Sequence, residues 1–191
     1  MIPSLYPQTC PKAILFDWDN TLVDNWRVIL DSINYTLELY NMPILTVDQF
    51  WARPHHSVRD ASKELFGHDH VRAVDIYYER VKEKHLENLQ VMEGAHELLD
   101  LLASKDIFVG IVSNKQGEIL RRESTHLGWD HHFGSIVGSL DTPEDKPSAL
   151  PGLHALKASP VPPGHDVWFV GDSIVDVLCA KAMNAVPVVV G

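Results

Sequence analysis

Short and almost continuous runs of apolar residues recur along the chain. Strands of a parallel sheet that are covered on both faces have this pattern, whereas half-exposed strands alternate apolar and polar residues. The pattern therefore predicts four buried strands and a weaker fifth one. Their sequences are AILF (13–16), IFVGIV (107–112), VWFV (167–170) and VPVVV (186–190), with SIV (135–137) as the weaker run.

Helical patterns lie between these runs. The clearest are HELLDLLAS (96–104), GEILRRESTHL (117–127) and SIVDVLCAKAM (173–183). Strands and helices that alternate in this rhythm are typical of an open α/β sheet with helices on its faces. A chain of 191 residues can form one well-buried core with a small additional domain, but it is too short for two full-sized domains.

One long segment interrupts the alternation. Between residues 24 and 90 the patterns are helical, and a later stretch at 71–89 reads the same way. Apolar residues at steps of three and four positions mark one face of an amphipathic helix. The first such face comprises Trp26, Ile29, Leu30, Ile33, Leu37 and Tyr40. We predict an α/β core domain formed by residues 1–23 and 91–191 and a helical insertion formed by residues 24–90.

Charge and cysteine content narrow the classes of partner. The formal net charge is −10, so the long-range field repels nucleic acid, and we expect no nucleic-acid partner. Cys10 and Cys179 lie far apart in no metal-binding pattern, which favours a reducing compartment. Because no apolar run reaches the length of a signal peptide or a membrane span, we expect a cytoplasmic protein without a membrane partner.

Polar side chains follow the predicted strands at the points where they end. Asp17, Asp19 and Thr21 follow the first strand, and Ser113, which we expect to open a helix, follows the second. Asp172 and Asp176 follow VWFV (167–170), the fourth predicted strand in chain order when SIV is counted. They lie four residues apart across a predicted strand-to-helix turn. Ligands of open parallel sheets bind at the carboxyl ends of the strands. The sequence thus predicts one polar site at this edge.

The order of these motifs resembles that of the haloacid dehalogenase superfamily, specifically its phosphatases with a helical cap inserted after the first strand. The matching features are Asp-x-Asp-x-Thr, a Ser after the second strand, a Lys, and Gly-Asp-x-x-x-Asp. DWDNTLVD, EGAHELLDLL and GDSIVDVLCAKAM are most similar to the phosphoglycolate phosphatase-like branch. The resemblance implies a Rossmann-like three-layer core, a cap domain at 24–90, and hydrolysis of a small phosphomonoester.

The resemblance also implies roles for the four acids. Asp17 would be the nucleophile that forms an aspartyl-phosphate, and it would bind the metal through its other oxygen. Asp19 would protonate the leaving group and then activate water, offering the metal only its backbone carbonyl. For this task its pKa must lie above the usual value near 3.9. Asp172 would bind the metal directly, and Asp176 directly or through water.

Four further residues would hold the substrate phosphate: Thr21, Ser113, Asn114 and Lys146. Thr21 and Ser113 offer hydroxyl hydrogen bonds, and backbone amides at Ser113 and Asn114 would form an anion site at a helix N-terminus. Lys146 precedes a proline suited to the first position of a helix. Lys157 is a nearby alternative to Lys146 for the same task.

Electrostatics independently requires a cation at such a site. Two unit charges 4 Å apart repel by roughly 4 kcal/mol at an effective dielectric constant near 20, and three of the acids would meet. Oxygen-only ligands point to Mg²⁺, which also shares its coordination shell with water and phosphate. We therefore expect Mg²⁺ as the cofactor.

The segment WARPHHSVRD gathers positive and titratable groups within the insertion: Arg53, His55, His56 and Arg59. One interpretation is that Arg53 and His56 contact the part of the substrate beyond the phosphate. The alternative, a solvent-exposed loop that leads into a helix, is equally consistent with the sequence. No spacing among the histidines is typical of a metal site.

Two features depart from the family pattern. Asn20 stands where most relatives have glycine, which predicts a left-handed or tight turn that asparagine tolerates. The chain also ends at Gly191 directly after an apolar run, which is consistent with a compact member or a shortened chain. An exposed sheet edge there allows either a monomer or a homodimer.

Several functions remain open at this stage. Asp19 argues against a true dehalogenase, which lacks that second acid. A β-phosphoglucomutase-like transfer uses the same residues as hydrolysis, and a non-catalytic phospho-acceptor module would need only Asp17. Phosphoglycolate, sugar phosphates and nucleotides are all compatible substrates, because a helical lid implies only a small phosphate ester.

Overall fold

The computed structural model describes residues 10–52 and 57–191. Arg53, His55 and His56 therefore lie outside the described residues. A parallel five-stranded sheet has the order β5-β4-β1-β6-β7. Its strands are β1 (Ala13–Phe16), β4 (Phe108–Gln116), β5 (Ser135–Ser139), β6 (Val167–Gly171) and β7 (Val186–Val189).

Eight α-helices lie in the described part of the chain. The first four, between β1 and β4, are α1 (Trp26–Leu39), α2 (Val47–Trp51), α3 (Val58–Phe66) and α4 (His70–Lys84). The others are α5 (Ala95–Ala103), α6 (Gly117–His126), α7 (Leu150–Ala155) and α8 (Ile174–Ala182). None of the helices in the described residues combines the length and apolarity that a membrane crossing requires.

The central strand β1 is buried on both faces because alternate side chains of a strand point in opposite directions. Ile14 and Phe16 join the apolar cluster that includes residues of α5 and α6. Ala13 and Leu15 join the cluster that includes residues of α7 and α8. The predicted α/β fold, with a parallel sheet between two layers of helices, is thereby confirmed.

A two-stranded antiparallel ribbon separates the helical segment from the sheet. It consists of β2 (Val23–Asp24) and β3 (Gln90–Val91). Between these strands α1 packs on α4, and α3 packs on α4. Tyr77 and Val81 of α4 also contact Ile119 of α6. The division into a core domain and a cap domain at 24–90 stays a prediction, and this ribbon lies at its proposed boundaries.

Two predictions of local structure are wrong. Ser113 does not open a helix, because β4 continues to Gln116, which still pairs with β5, and α6 begins at Gly117. Pro147 does not begin a helix either. The helix that follows starts at Leu150, and Pro151 occupies its first turn. The left-handed turn predicted at Asn20 is confirmed by its φ of 61°.

Candidate active site

Three carboxylates meet at the carboxyl ends of β1 and β6. Asp17 follows β1, and its backbone N–H donates to the carbonyl of Val170 in the adjacent strand (2.8 Å). Asp172 and Asp176 follow β6, and one oxygen from each of the three acids lies within 4.8 Å of the others. The folding of two neighbouring parallel strands is what brings these distant segments together.

Lys146 is buried among these acids. Its Nζ lies 2.7 Å from Oδ1 of Asp17 and 2.6 Å from Oδ1 of Asp176. Burial opposes the charge of this ammonium group, but the two carboxylates raise the pKa of Lys146 overall. Lys157, the alternative lysine, is exposed in a short 3₁₀ turn. The structure therefore places Lys146, and not Lys157, beside the predicted nucleophile.

Asp17 and Asp176 differ in how their charge is compensated. Burial raises the pKa of Asp17 to about 7, with Lys146 opposing and Asp176 and Asp172 adding to the increase. One carboxylate oxygen of Asp176 accepts hydrogen bonds from the backbone N–H and the hydroxyl of Ser173 at the start of α8. Asp17 is thus the acid of this cluster that most needs a further positive charge.

The donor set fits a hard divalent cation. Three carboxylates face one lysine, so the cluster has excess negative charge, and all its ligand atoms are oxygen, which Mg²⁺ prefers. The carboxylate of Asp176 approaches the strand end closely because residue 171 is glycine, and a Cβ there would overlap it. Asp17, Asp172 and Asp176 are the side chains that could hold the ion.

The residues predicted to bind phosphate separate into three groups. Ser113 and Lys146 line the same cavity as Asp17 and Asp19. Asn114 also lines it, but its side-chain amide makes two hydrogen bonds with the backbone of Lys146 (2.9 and 3.0 Å), so it positions that lysine. Thr21 lies outside the described lining of the cavity, and its buried hydroxyl has no hydrogen-bond partner.

A second buried lysine, which sequence reasoning missed, contacts the other predicted catalytic acid. Nζ of Lys115 lies 2.7 Å from Oδ1 of Asp19 and 2.6 Å from Oε2 of Glu123. Burial raises the pKa of Asp19, Lys115 opposes the increase, and Glu123 adds to it. The net increase is the direction that a proton donor requires.

Glu123 is completely buried in α6, and side chains from three other segments contact its carboxylate beside Lys115. Nε1 of Trp18 donates to it (2.6 Å), Nδ1 of His85 lies 3.0 Å away, and the amide of Asn25 donates at 3.4 Å. Burial raises the pKa of Glu123, but Lys115 and these hydrogen bonds lower it overall. The only sequence signal was an acid on the apolar face of a predicted helix.

Arg59 connects the helical segment with the sheet. Its guanidinium lies 3.1 Å from Oδ1 of Asp145, a carboxylate of which 1% is exposed. Asp145 directly precedes Lys146, so this ion pair joins α3 to the segment that carries the buried lysine. Arg53 and His56, predicted to contact the substrate, lie outside the described residues.

A cavity of about 200 Å³ connects these groups with the helical segment. Its floor includes Asp17, Asp19, Ser113, Lys146 and Asp172. Its upper wall is formed by α1, α3 and α4. The proposed reacting groups at the sheet edge thus line the same cavity as the helices above them.

The arrangement matches a known family over nearly the whole chain. The family model described as haloacid dehalogenase-like hydrolase matches residues 14–190. The chain belongs to this family. The resemblance predicted from the sequence motifs is confirmed, and so is the prediction of an enzyme of the hydrolase class.

Individual relatives agree with this assignment. A phosphoglycolate phosphatase of Chromobacterium violaceum is 29% identical, and the match covers 94% of this chain and 85% of that protein. A hydrolase of the same superfamily from Ehrlichia chaffeensis is 34% identical, with a TM-score of 0.66 and coverage of 96% and 89% of the two chains. A haloacid dehalogenase-like family protein from Streptococcus pneumoniae, 24% identical, shares the fold with a TM-score of 0.81 over 95% and 85% of the chains.

Proposed function

We propose that the protein is a Mg²⁺-dependent phosphatase that hydrolyses a small phosphomonoester through an aspartyl-phosphate on Asp17. One observation carries the proposal. The buried carboxylate of Asp17 lies at a strand end, 2.7 Å from Lys146, and within 4.8 Å of ligand oxygens of Asp172 and Asp176. A nucleophile for phosphorus needs this combination of an acid, a fixed cation and a metal-binding carboxylate pair.

Attack on phosphorus requires that negative charge be offset. Lys146 and the hydroxyl of Ser113 would hold the phosphate oxygens so that an oxygen of Asp17 faces phosphorus. Bound Mg²⁺ supplies further positive charge, and Asp17, Asp172, Asp176 and the backbone carbonyl of Asp19 would hold it. The oxygen–phosphorus bond to Asp17 forms while the bond from phosphorus to the ester oxygen breaks.

Asp19 would supply the proton that the departing ester oxygen needs. Its raised pKa favours the protonated form at the moment of cleavage. Asp19 is then ionised and can accept a proton from a water molecule that attacks the aspartyl-phosphate. This second step releases inorganic phosphate and regenerates Asp17. The contact between Lys115 and Asp19 would orient the carboxyl group in both steps.

The proposal includes a small-molecule phosphate ester as the partner, with neither nucleic acid nor a membrane, a monomer or a homodimer, and the cytoplasm as the location. The excess of acidic residues supports the first part, since it disfavours polyanionic partners. The reduced state expected of Cys10 and Cys179 supports the location.

Turnover of a panel of phosphate esters with Mg²⁺ tests the function. We expect release of inorganic phosphate, its loss with a chelator, and a decrease of about 10⁴-fold in kcat for Asp17→Asn. Asp166→Asn is the control, because that exposed carboxylate pairs with Lys12 and does not line the cavity. Stoichiometric labelling without turnover would instead indicate a phospho-acceptor module, and isomerised sugar phosphate would indicate a mutase.

A further inference from the structure

The chamber above the reacting groups is mainly apolar. Besides Val175 of α8 and the tyrosines Tyr77 and Tyr78, the aliphatic and aromatic lining among the described residues comes from α1, α2, α3, α4 and α6. These residues are Ile29, Ile33, Leu37, Phe50, Val58, Ala61, Leu65, Phe66, Ala73, Val74, Val81 and Ile119. Several of them, including Ile33, Val58 and Val74, are only half-buried. Their exposed surface faces a space that an apolar group would fill with a gain in free energy.

Three of the hydroxyl groups in the wall, those of Thr36, Ser62 and Ser57, already donate hydrogen bonds within the protein. Thr36 donates to the carbonyl of Ser32 (2.9 Å), and Ser62 donates to the carbonyl of Arg59 (3.2 Å). Ser57 donates to the carboxylate of Asp60 (3.1 Å). Since each hydroxyl has one proton to donate, these side chains cannot donate to the hydroxyl oxygens of a sugar without losing an existing bond.

The charges of the described lining are also committed. Its lysines are Lys115 and Lys146, and each already lies between two carboxylates. Burial raises the pKa of both Tyr77 and Tyr78, so both phenols stay neutral. A carboxylate on the leaving group would therefore lose its hydration in the chamber without an unpaired cation among these residues to compensate.

We propose that the leaving group of the substrate is apolar, with the size of an aromatic ring or an alkyl chain of about four to six carbons. This inference rests on the phosphatase function proposed above, and it names the substrate class of the same site. Size supports it: an apolar cavity of about 150 Å³ in another protein binds benzene, and this chamber measures about 200 Å³.

Matched pairs of esters provide the test. Ethyl phosphate and 2-phosphoglycolate differ by a methyl group against a carboxylate, and propyl phosphate and glycerol 1-phosphate differ by two hydroxyls. We expect the alkyl ester to have the higher kcat/KM in both pairs. Along the series from ethyl to hexyl phosphate, kcat/KM should rise about three- to fourfold per methylene. A tenfold preference for either polar ester, or no chain-length trend, would overturn the inference.

Two variants locate the preference in the chamber. Ala61→Phe fills it from α3 and should move the optimum to shorter chains. Val74→Thr keeps the shape and adds a hydroxyl, and it should lower kcat/KM for hexyl phosphate several-fold. Ala103→Phe, at an exposed position of α5, is the control and should retain the wild-type series. If kcat/KM depends on chain length in both chamber variants as it does in the wild type, the assignment of the preference to the chamber is contradicted.

Acetyl phosphate separates failure of this inference from failure of the function. If acetyl phosphate is hydrolysed but the alkyl series shows no trend, only the inference is wrong. If no ester is hydrolysed, the proposed function is wrong. Calorimetric measurement of alkylphosphonate binding then tests whether the chamber binds apolar groups. Affinity that rises with chain length would support the apolar site, and affinity independent of length would refute it.

Turnover of 2-phosphoglycolate that Arg53→Ala abolishes would assign the specificity to the segment outside the described residues.

Discussion

Two buried lysines form the two halves of the candidate active site, and each lies between two carboxylates. Lys146 lies between Asp17 and Asp176. Lys115 lies between Asp19 and Glu123. The two centres therefore share one composition, although the acids that they hold have different proposed tasks.

The centres differ in what completes them. Around Glu123, the side chains of Trp18, His85 and Asn25 contact the carboxylate in addition to Lys115, so this centre is closed by the protein itself. At Lys146, a third acid, Asp172, adds charge that one lysine cannot neutralise. We propose from this comparison that the Lys146 centre receives a cation and a phosphate, whereas the Lys115 centre holds Asp19 in place.

Replacing each lysine by methionine gives the largest contrast between the centres. Lys146→Met should lower kcat by about 10²–10³-fold, because a group that contacts the transferred phosphoryl is lost. Lys115→Met should lower it by about tenfold, because it removes only a contact to Asp19. Steady-state kinetics with acetyl and alkyl phosphates at saturating Mg²⁺ measures both. Equal losses in the two variants would remove the proposed division of tasks.

Glu123→Gln tests the Lys115 centre by removing the negative charge of Glu123. With Glu123 neutral, Lys115 would interact with Asp19 alone and lower its pKa, so less of the acid form would be available. We expect kcat to fall about tenfold for alkyl phosphates, whose leaving oxygen needs a proton, and little for acetyl phosphate. A uniform decrease for both substrates would indicate a structural role only. Glu118→Gln, at an exposed position of the same helix, is the control.

The pH dependence of stability in the metal-free protein tests the charge balance at Asp17 in the Lys146 centre, and Asp19, whose pKa is also raised, contributes in the same direction. The pKa of Asp17 is about 7 in the fold against an ordinary value of 3.8, so between these values the folded state binds more protons than the unfolded state. Its contribution to the free energy of unfolding is therefore complete below about pH 4 and is lost as the pH rises to about 7. The contribution of Asp17 should therefore make chelator-treated protein unfold at a lower urea concentration at pH 8 than at pH 5.

Mg²⁺ should reverse that trend, because the ion and the proton compete for the same carboxylate. We expect Mg²⁺ to raise Tm by several degrees more at pH 8 than at pH 5. In Asp17→Asn this difference should disappear, while Lys146, Asp172 and Asp176 remain. An equal effect of Mg²⁺ at both pH values would place the ion elsewhere.

The smallest expected effect concerns the contact between the helical segment and the Lys146 centre. Arg59→Ala removes an ion pair between an arginine side chain that is 25% exposed and a carboxylate of which 1% is exposed, so the buried carboxylate of Asp145 loses this cation but keeps the hydrogen bond from the hydroxyl of Ser139. We expect KM to rise two- to fivefold with little change in kcat, since the pair orients the cap-side helix and does not touch the phosphate. An unchanged KM would show that α3 is positioned without it. Lys63→Ala, in the exposed pair with Asp60, is the matched control.

Sequence reasoning named residues of both centres. Asp17, Asp19, Asp172 and Asp176 were named because acids at the ends of parallel strands must lie along one edge of the sheet, and Lys146 was named from the family resemblance, whereas Lys115 and Glu123 were missed. The local predictions that placed Ser113 and Pro147 at helix starts were wrong. Strand pairing extends β4 to Gln116, and two hydrogen bonds between the side-chain amide of Asn114 and the backbone of Lys146 hold that residue in a turn. Neither interaction is visible in local sequence.

Apolar periodicity was sufficient to predict the α/β class, and the order of the polar motifs after the strands predicted the family through its resemblance to the haloacid dehalogenase pattern. These are properties of short segments, and the geometry of a parallel sheet converts them into positions along one edge. Only the tertiary structure decided that Lys115, His85 and Trp18 surround Glu123, and that the space above Asp17 is mainly apolar. Such contacts join segments far apart in the chain, and they depend on how helices pack across the sheet, which no local pattern specifies.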